Sequence, residues 1–293
     1  MKLDLFGNKI KKSKKRHSIA SIDTKYKAHI YLWSGGKDST VMVDKALRNG
    51  DRVDYILFSD TKVEFEEMYE YVVKVSDYWK RRYGKKITVL RTEKEFEDII
   101  FNIRGENGRK CTNKDNQGKI SGLLNPSAGF CEWRSRSKII PFENFLKQND
   151  FNDDEVLVHI GFTIDEPNRT KRHKHEAYPL IDEYRMRESD CKQYLINNEM
   201  ENPLYRHFNR TGCKFCPYQS EQDYYNIWKY YPDDWKEYKD IEKRVKEHER
   251  EAISSAWFIN FQTCVDMENK FKKWQILGFE PNNEPLKNCF CKI

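Results

Sequence analysis

Six consecutive residues, Ser34-Gly35-Gly36-Lys37-Asp38-Ser39, combine two glycines, two hydroxyls, an ammonium and a carboxylate. They follow an apolar run at 28–33 (AHIYLW) and open a helical pattern in which Val41, Met42 and Ala46 are candidate core positions. That strand–loop–helix context gives a glycine-rich loop its meaning. The glycines let backbone N–H groups approach a polyanion, and the helix N-terminus adds a partial positive charge. Ser34 and Ser39 can donate to phosphate oxygens, and Lys37 supplies a point charge. Asp38 fits beside phosphate if Mg²⁺ is held there, or if it caps the helix. The bland alternative is a glycine turn with a capping serine. A second constellation, Cys213-Lys214-Phe215-Cys216-Pro217, sets two thiols at chelating distance. A redox dithiol is the rival reading. The flanks are not the strand–CxxC–helix of thioredoxin-like proteins, which favours a metal. Further thiolates would come from Cys111, Cys131, Cys191, Cys264, Cys289 or Cys291. Cys191 shares a helical face with Tyr194 and Leu195, so a buried thiol is the simple alternative there.

These groups need elements to hold them. Beyond the loop, a helix ends at Asn49-Gly50, and VDYILFSD at 53–60 reads as a second buried strand. Phe65, Met68, Val72, Val75 and Trp79 recur at three- and four-residue steps, which predicts a helix over 64–82 closed by Gly84. A third strand is predicted at 87–92 and a helix at 94–103. Residues 105–129 hold five glycines with Arg109, Lys110, Lys114 and Lys119, and read as a long loop or lid. A helix at 141–148 and a strand at 155–163 resume the alternation. Residues 165–176 form a polar loop in which Arg169, Lys171, Arg172, His173, Lys174 and His175 crowd together. His173 and His175 would share one side of an extended segment and could join a metal site; a solvated basic loop is the simpler reading. A helix is predicted at 187–199, then a helical, aromatic stretch over 219–275 with Pro232 at a helix start. The expected fold is α/β, a parallel twisted sheet flanked by helices, with a helical C-terminal region. The expected division is a basic arm at 1–26, a sheet domain at 27–185 and a cysteine-containing helical region at 186–293.

The loop and four downstream segments resemble the PP-loop (N-type) ATP pyrophosphatases, in their phosphoadenosine-phosphosulfate (PAPS) reductase-like branch. Phe58-Ser59-Asp60-Thr61 is similar to that family's Asp-Thr-Gly turn, with Lys62 in place of the glycine. Cys131, Lys138 and Pro141 resemble its Cys…Lys…Pro segment, with the Cys–Lys spacing two residues longer. Ile160-Gly161-Phe162 with Asp165, Glu166 and Arg169 resembles its strand-to-loop element. Tyr178-Pro179-Leu180-Ile181, Asp190-Cys191 and the Cys213–Cys216 pair complete a likeness over about residues 28–220. The resemblance implies ATP, Mg²⁺ and cleavage between the α- and β-phosphates, with the nucleotide across the carboxyl ends of the strands. Ser34, Gly35, Gly36, Lys37, Asp38, Ser39, Asp60, Thr61 and Gly161 would bind it. Lys37, Asp38, Lys138 and Arg169 would be the catalytic group, mostly by positioning and charge stabilisation. It further implies a [4Fe–4S] cluster on Cys131, Cys191, Cys213 and Cys216. Zinc on Cys213, Cys216, Cys289 and Cys291 is the runner-up.

Three functions follow as expectations. The first is an adenylating enzyme that activates a substrate oxygen and supports sulfur transfer, with nucleic acid a candidate acceptor and a cysteine desulfurase a candidate partner. The second is a sulfonucleotide (PAPS) reductase; the chain ends NCFCKI without the Glu-Cys-Gly-x-His motif expected of that activity. The third is a non-catalytic, nucleotide-binding accessory protein. Composition fits a cytoplasmic, non-membrane protein. The 293 residues contain no apolar run long enough to cross a bilayer and no secretory leader pattern. Aromatic residues at 14 % argue for a packed core despite 34 % charged residues. Eight cysteines without an export signal read as thiols or ligands rather than disulfides. The net charge of +6 is unevenly spread: residues 1–27 hold nine basic and two acidic residues, a +7 arm, and the remainder is −1. The arm is a candidate phosphate-backbone contact.

Overall fold

The computed structural model describes residues 25–106, 113–123, 131–170, 174–248, 258, 262–279 and 281. Most of the basic arm, Arg109, Lys110, Cys111, Lys171, Arg172, His173, Cys289 and Cys291 lie outside these residues.

Five parallel strands form one sheet: β1 (Ala28–Leu32), β2 (Tyr55–Asp60), β3 (Ile87–Arg91), β4 (Val156–His159) and β5 (Glu176–Ala177), in the order β3-β2-β1-β4-β5. The chain moves outward from β1 to β2 and β3, then returns to the other side of β1 for β4. The strand order therefore reverses beside β1, and a crevice opens between the carboxyl ends of β1 and β4.

Helices cover both faces: α1 (Lys37–Asn49), α2 (Glu66–Tyr83), α3 (Ile140–Gln148) and α4 (Glu188–Asn197). A C-terminal layer adds α5 (Glu221–Tyr230), α6 (Pro232–Glu247) and α7 (Cys264–Leu277). Residues alternate along β1. Ala28, Ile30 and Leu32 join Phe145, Leu146 and Val156 in one core, while Tyr31 and Trp33 join Val41, Met42, Met68 and Trp79 in the larger one. The stripe read in 64–82 is the buried face of α2, with Met68, Val72, Val75 and Trp79 all in the core. Gly50 and Gly84 take the left-handed conformation that ends α1 and α2. Asp44 of α1, fully buried, accepts from Trp79 of α2 (3.0 Å), Tyr194 of α4 (2.6 Å) and Arg48 (2.6 Å), so one carboxylate ties three helices. Pro232 occupies the first turn of α6, as its fixed φ allows.

The structure corrects several element boundaries. The helix predicted over 94–103 is a single turn, Glu97–Ile100, because the chain then enters an antiparallel bridge between Ile103 and Ile120. The strand predicted over 155–163 is paired only over Val156–His159; beyond it Gly161 turns in towards the loop at 34–39. β5, inside the predicted polar loop and its exit, is two residues long and held by pairing to β4. The helix α4, assigned from sequence to the C-terminal region, packs on α1 of the sheet domain.

Candidate nucleotide site

The loop at 34–39 lies at the carboxyl end of β1, on the wall of a cleft of about 720 Å³. Gly35 has φ +73°, a conformation that favours glycine, and a Cβ there would sit 2.4 Å from the Met68 sulfur. Gly161, from the end of β4, packs 2.8–2.9 Å (measured from an added Cβ) against the backbone of Ser39. Any larger residue would push the loop out of the crevice. Ser34 Oγ and Ser39 Oγ are 3.1 Å apart, and the Ser34 N–H donates to Ser39 Oγ at 3.2 Å. Thr40 receives the Trp33 indole N–H at 2.9 Å and donates to Gly36 O at 2.8 Å, fixing the loop to the core. The Gly36 φ and ψ are extended, so α1 begins at Lys37.

Lys37 is held in an acidic clamp. Its Nζ donates to Asp38 at 3.0 Å and to Glu188, at the start of α4, at 2.8 Å. Burial pulls the Lys37 ammonium down, but Asp38, Tyr205 and Glu188 outweigh it and hold it above the usual lysine range. Asp38 is pushed up to about 6, by burial first, with Lys37 opposing. Its Oδ1 is buried without a hydrogen-bond partner. That oxygen is a hard donor of the kind that Mg²⁺ takes from one or two carboxylates together with phosphates.

The other expected residues divide. Thr61, Lys138, Gly161 and Arg169 line the cleft. Lys138 is carried by a π-helical turn, Ser135–Ile139, of the kind that recurs at functional sites. Arg169 pairs with Glu166 and lies 4.4 Å over the Phe162 ring. Asp60 stands behind the wall. Its carboxylate accepts from the Lys62 N–H (2.8 Å), Tyr69 (3.1 Å) and Arg91 (2.9 Å), and so holds Lys62 in its left-handed turn at φ 59°.

Cys131, Cys213 and Cys216 line the same cleft. Arg210 donates to the Cys216 sulfur at 3.4 Å. Cys191 is not on that wall: it is fully buried on α4 beside Asp38. Burial, then the Asp38 carboxylate and its hydrogen bond, push that thiol far up. The expected four-cysteine set is thus divided between the cleft and the support of the loop, and does not fit one cluster in this arrangement. Among the described residues no three His, Cys, Asp or Glu side chains are placed to hold a metal ion. The zinc alternative needs Cys289 and Cys291, which lie outside the described residues. His175 is described and His173 is not, so their pairing stays an expectation.

Sequence reasoning missed the clamp residue Glu188 and the wall formed by Tyr205, Arg210 and Thr211. Arg210, Thr211 and Gly212 precede Cys213 directly, which was the one available signal.

The fold is a parallel α/β domain with a glycine-containing loop, 34–39, at the strand end where the strand order reverses. Residues 28–125, about a third of the chain, match the family model for the phosphoadenosine phosphosulfate reductase domain, of the same superfamily as the PP-loop ATP pyrophosphatases. That stretch contains the loop and the first three strands, so the match covers the loop segment of the likeness and stops short of Cys213–Cys216. An uncharacterised curated protein of Methanocaldococcus jannaschii is 29 % identical over 221 residues, covering 69 % of this chain and 39 % of that protein. The chain therefore spans about two fifths of that relative's length. A crystal structure of PAPS reductase from Candida auris in a phosphate complex overlaps 65 % of this chain and 83 % of its own, with a TM-score of 0.42 and 13 % identity. No helix of the described residues is long and apolar enough to cross a membrane.

Proposed function

We propose that the chain binds an adenine nucleotide in this cleft and carries out nucleotide-linked sulfur chemistry, by splitting ATP between its α- and β-phosphates. The observation that carries the reading is that the 34–39 loop and three cysteines, Cys131, Cys213 and Cys216, face one cleft. The loop amides, Ser34, Ser39 and Lys37 grip the pyrophosphate end. Gly161 and Thr61 border the space for the rest of the nucleotide. Asp38 would hold Mg²⁺ together with the phosphates, and the ion would neutralise charge on them. A substrate oxygen attacks the α-phosphorus, the α–β bridging bond breaks, and pyrophosphate leaves. Lys138 and Arg169 stabilise the charge that builds up there. The oxygen, now bonded to AMP, is the leaving group when a sulfur nucleophile replaces it. No step is assigned to an iron–sulfur cluster. Nucleic acid as acceptor and a cysteine desulfurase as sulfur source complete the proposal.

The test is pyrophosphate release from ATP and Mg²⁺ across a panel of acceptors, nucleic acids included. Release that depends on both acceptor and Lys37 supports the reading; none with any acceptor counts against it. The second reading is sulfonucleotide reduction, favoured by the family match over residues 28–125. Sulfite released from PAPS with a thiol donor would promote it. ATP binding with neither activity would leave a nucleotide-binding accessory role.

A further inference from the structure

The loop is braced from a segment well beyond the end of the family match at residue 125. Asn202, 1 % exposed, donates to Gly35 O at 2.9 Å, and its own carbonyl caps the turn Pro203–Arg206 by accepting from Leu204. That turn delivers Tyr205. The Lys37 N–H, one of the first amides of α1, donates to the Tyr205 hydroxyl at 2.8 Å. Thr211 stands beside it: a Cβ on Gly36 would meet Thr211 Oγ1 at 3.0 Å and the Tyr205 hydroxyl at 3.5 Å. Tyr205 and Thr211 both line the cleft.

We propose that Tyr205 is a further phosphate-binding residue, whose hydroxyl accepts from the Lys37 amide and donates its own proton to the β- or γ-phosphate of the bound nucleotide. This rests on the nucleotide reading above and names which part of the ligand the residue reads. The chemistry is direct. An exposed helix amide normally offers its hydrogen to the anion itself. Here a phenol oxygen takes that hydrogen. A hydroxyl polarised by an amide donor is a stronger donor in turn. Burial pushes the Tyr205 hydroxyl up to about 12, against the opposing pull of Lys37, so it keeps its proton at neutral pH. Phenol and lysine then grip the polyphosphate from two sides, Tyr205 from the C-terminal region and Lys37 from the loop. In the nucleotide reading above, adenosine and its α-phosphate take the Thr61 side of the cleft, and the phosphates beyond the first take the loop beside Tyr205. Tyr205 is therefore selective for ligands carrying phosphates beyond the first.

The test compares equilibrium binding of ATP·Mg²⁺, pyrophosphate and AMP by wild type and Tyr205→Phe, with the melting temperature of each unliganded protein. The expected result is an approximately tenfold weaker Kd for ATP and pyrophosphate, as loss of one hydrogen bond to a charged group gives, with AMP affinity unchanged. Equal loss for AMP, or no loss for ATP and pyrophosphate, overturns the assignment. A variant that melts lower and loses all three ligands together makes Tyr205 structural and also overturns it. Wild type that binds none of the three refutes the nucleotide reading itself, a separate outcome.

Discussion

Lys37 carries the residue-scale argument. In the structure its ammonium is shared between Asp38 and Glu188, and a nucleotide phosphate must compete with the second of these. Glu188 is nearly half exposed, so its pairing is worth about 1 kcal/mol or less. Glu188→Gln removes both the competitor and a like charge facing the phosphates. ATP affinity should rise three- to fivefold by calorimetric titration; a fall would mean Glu188 helps to bind the nucleotide. At this scale the sequence was informative where a residue acts through its neighbours in the chain. Ser34, Gly35, Lys37 and Ser39 were legible because strand, loop and helix are contiguous. Glu188 and Tyr205 were not, because each acquires its role only when a distant segment folds back on the loop. The same limit explains Cys191. Its match to a family segment placed it with Cys213 and Cys216, whereas the α4 helix turns its thiol towards Asp38. Its helical face with Leu195 pointed to the buried site it actually occupies.

At the scale of elements, periodicity made α2 legible and pairing did not make β5 so. Five core positions at helical spacing specify α2 locally, while Glu176 and Ala177 are a strand only because β4 lies beside them. The sheet also holds a group that sets acid stability. His159 of β4 stacks on Tyr31 of β1 at 4.0 Å between ring centroids, and its Nε2 is 3.3 Å from Nδ1 of His29. Burial first, then the neighbouring His29, push its pKa down to about 3. The folded state thus binds this proton less readily than the unfolded chain, whose histidine titrates near 6.5. The contribution is complete above about pH 6.5 and is lost as pH falls towards 3, with a slope of up to about 1.4 kcal/mol per pH unit. Urea midpoints of wild type and His159→Gln between pH 7 and 4 check this. The variant, less stable at neutral pH, should lose less on acidification. Parallel curves would show that His159 does not carry the effect.

The whole molecule brings two regions to one cleft. The sheet domain gives the loop, Thr61, Gly161 and Arg169; the C-terminal region gives Tyr205, Arg210, Cys213 and Cys216. The sequence-level boundary near 185 therefore runs through the site, since motif spacing shows order along the chain and not which segments meet. Charge divides differently. The basic arm is separate in sequence from every residue lining the cleft, and the remaining chain is close to neutral. Deleting residues 1–24 should leave the ATP Kd within about threefold while abolishing salt-sensitive retention on nucleic acid. A large loss of ATP affinity would place the arm in the nucleotide site. The central claim, that the 34–39 loop binds a nucleotide polyphosphate, meets its most direct test in a titration of wild type and Lys37→Ala with ATP·Mg²⁺. The account predicts saturable binding by wild type and a 10- to 100-fold weaker Kd in the variant, about 1.5–3 kcal/mol for a charged hydrogen bond to phosphate. Equal affinity in the two proteins would contradict it.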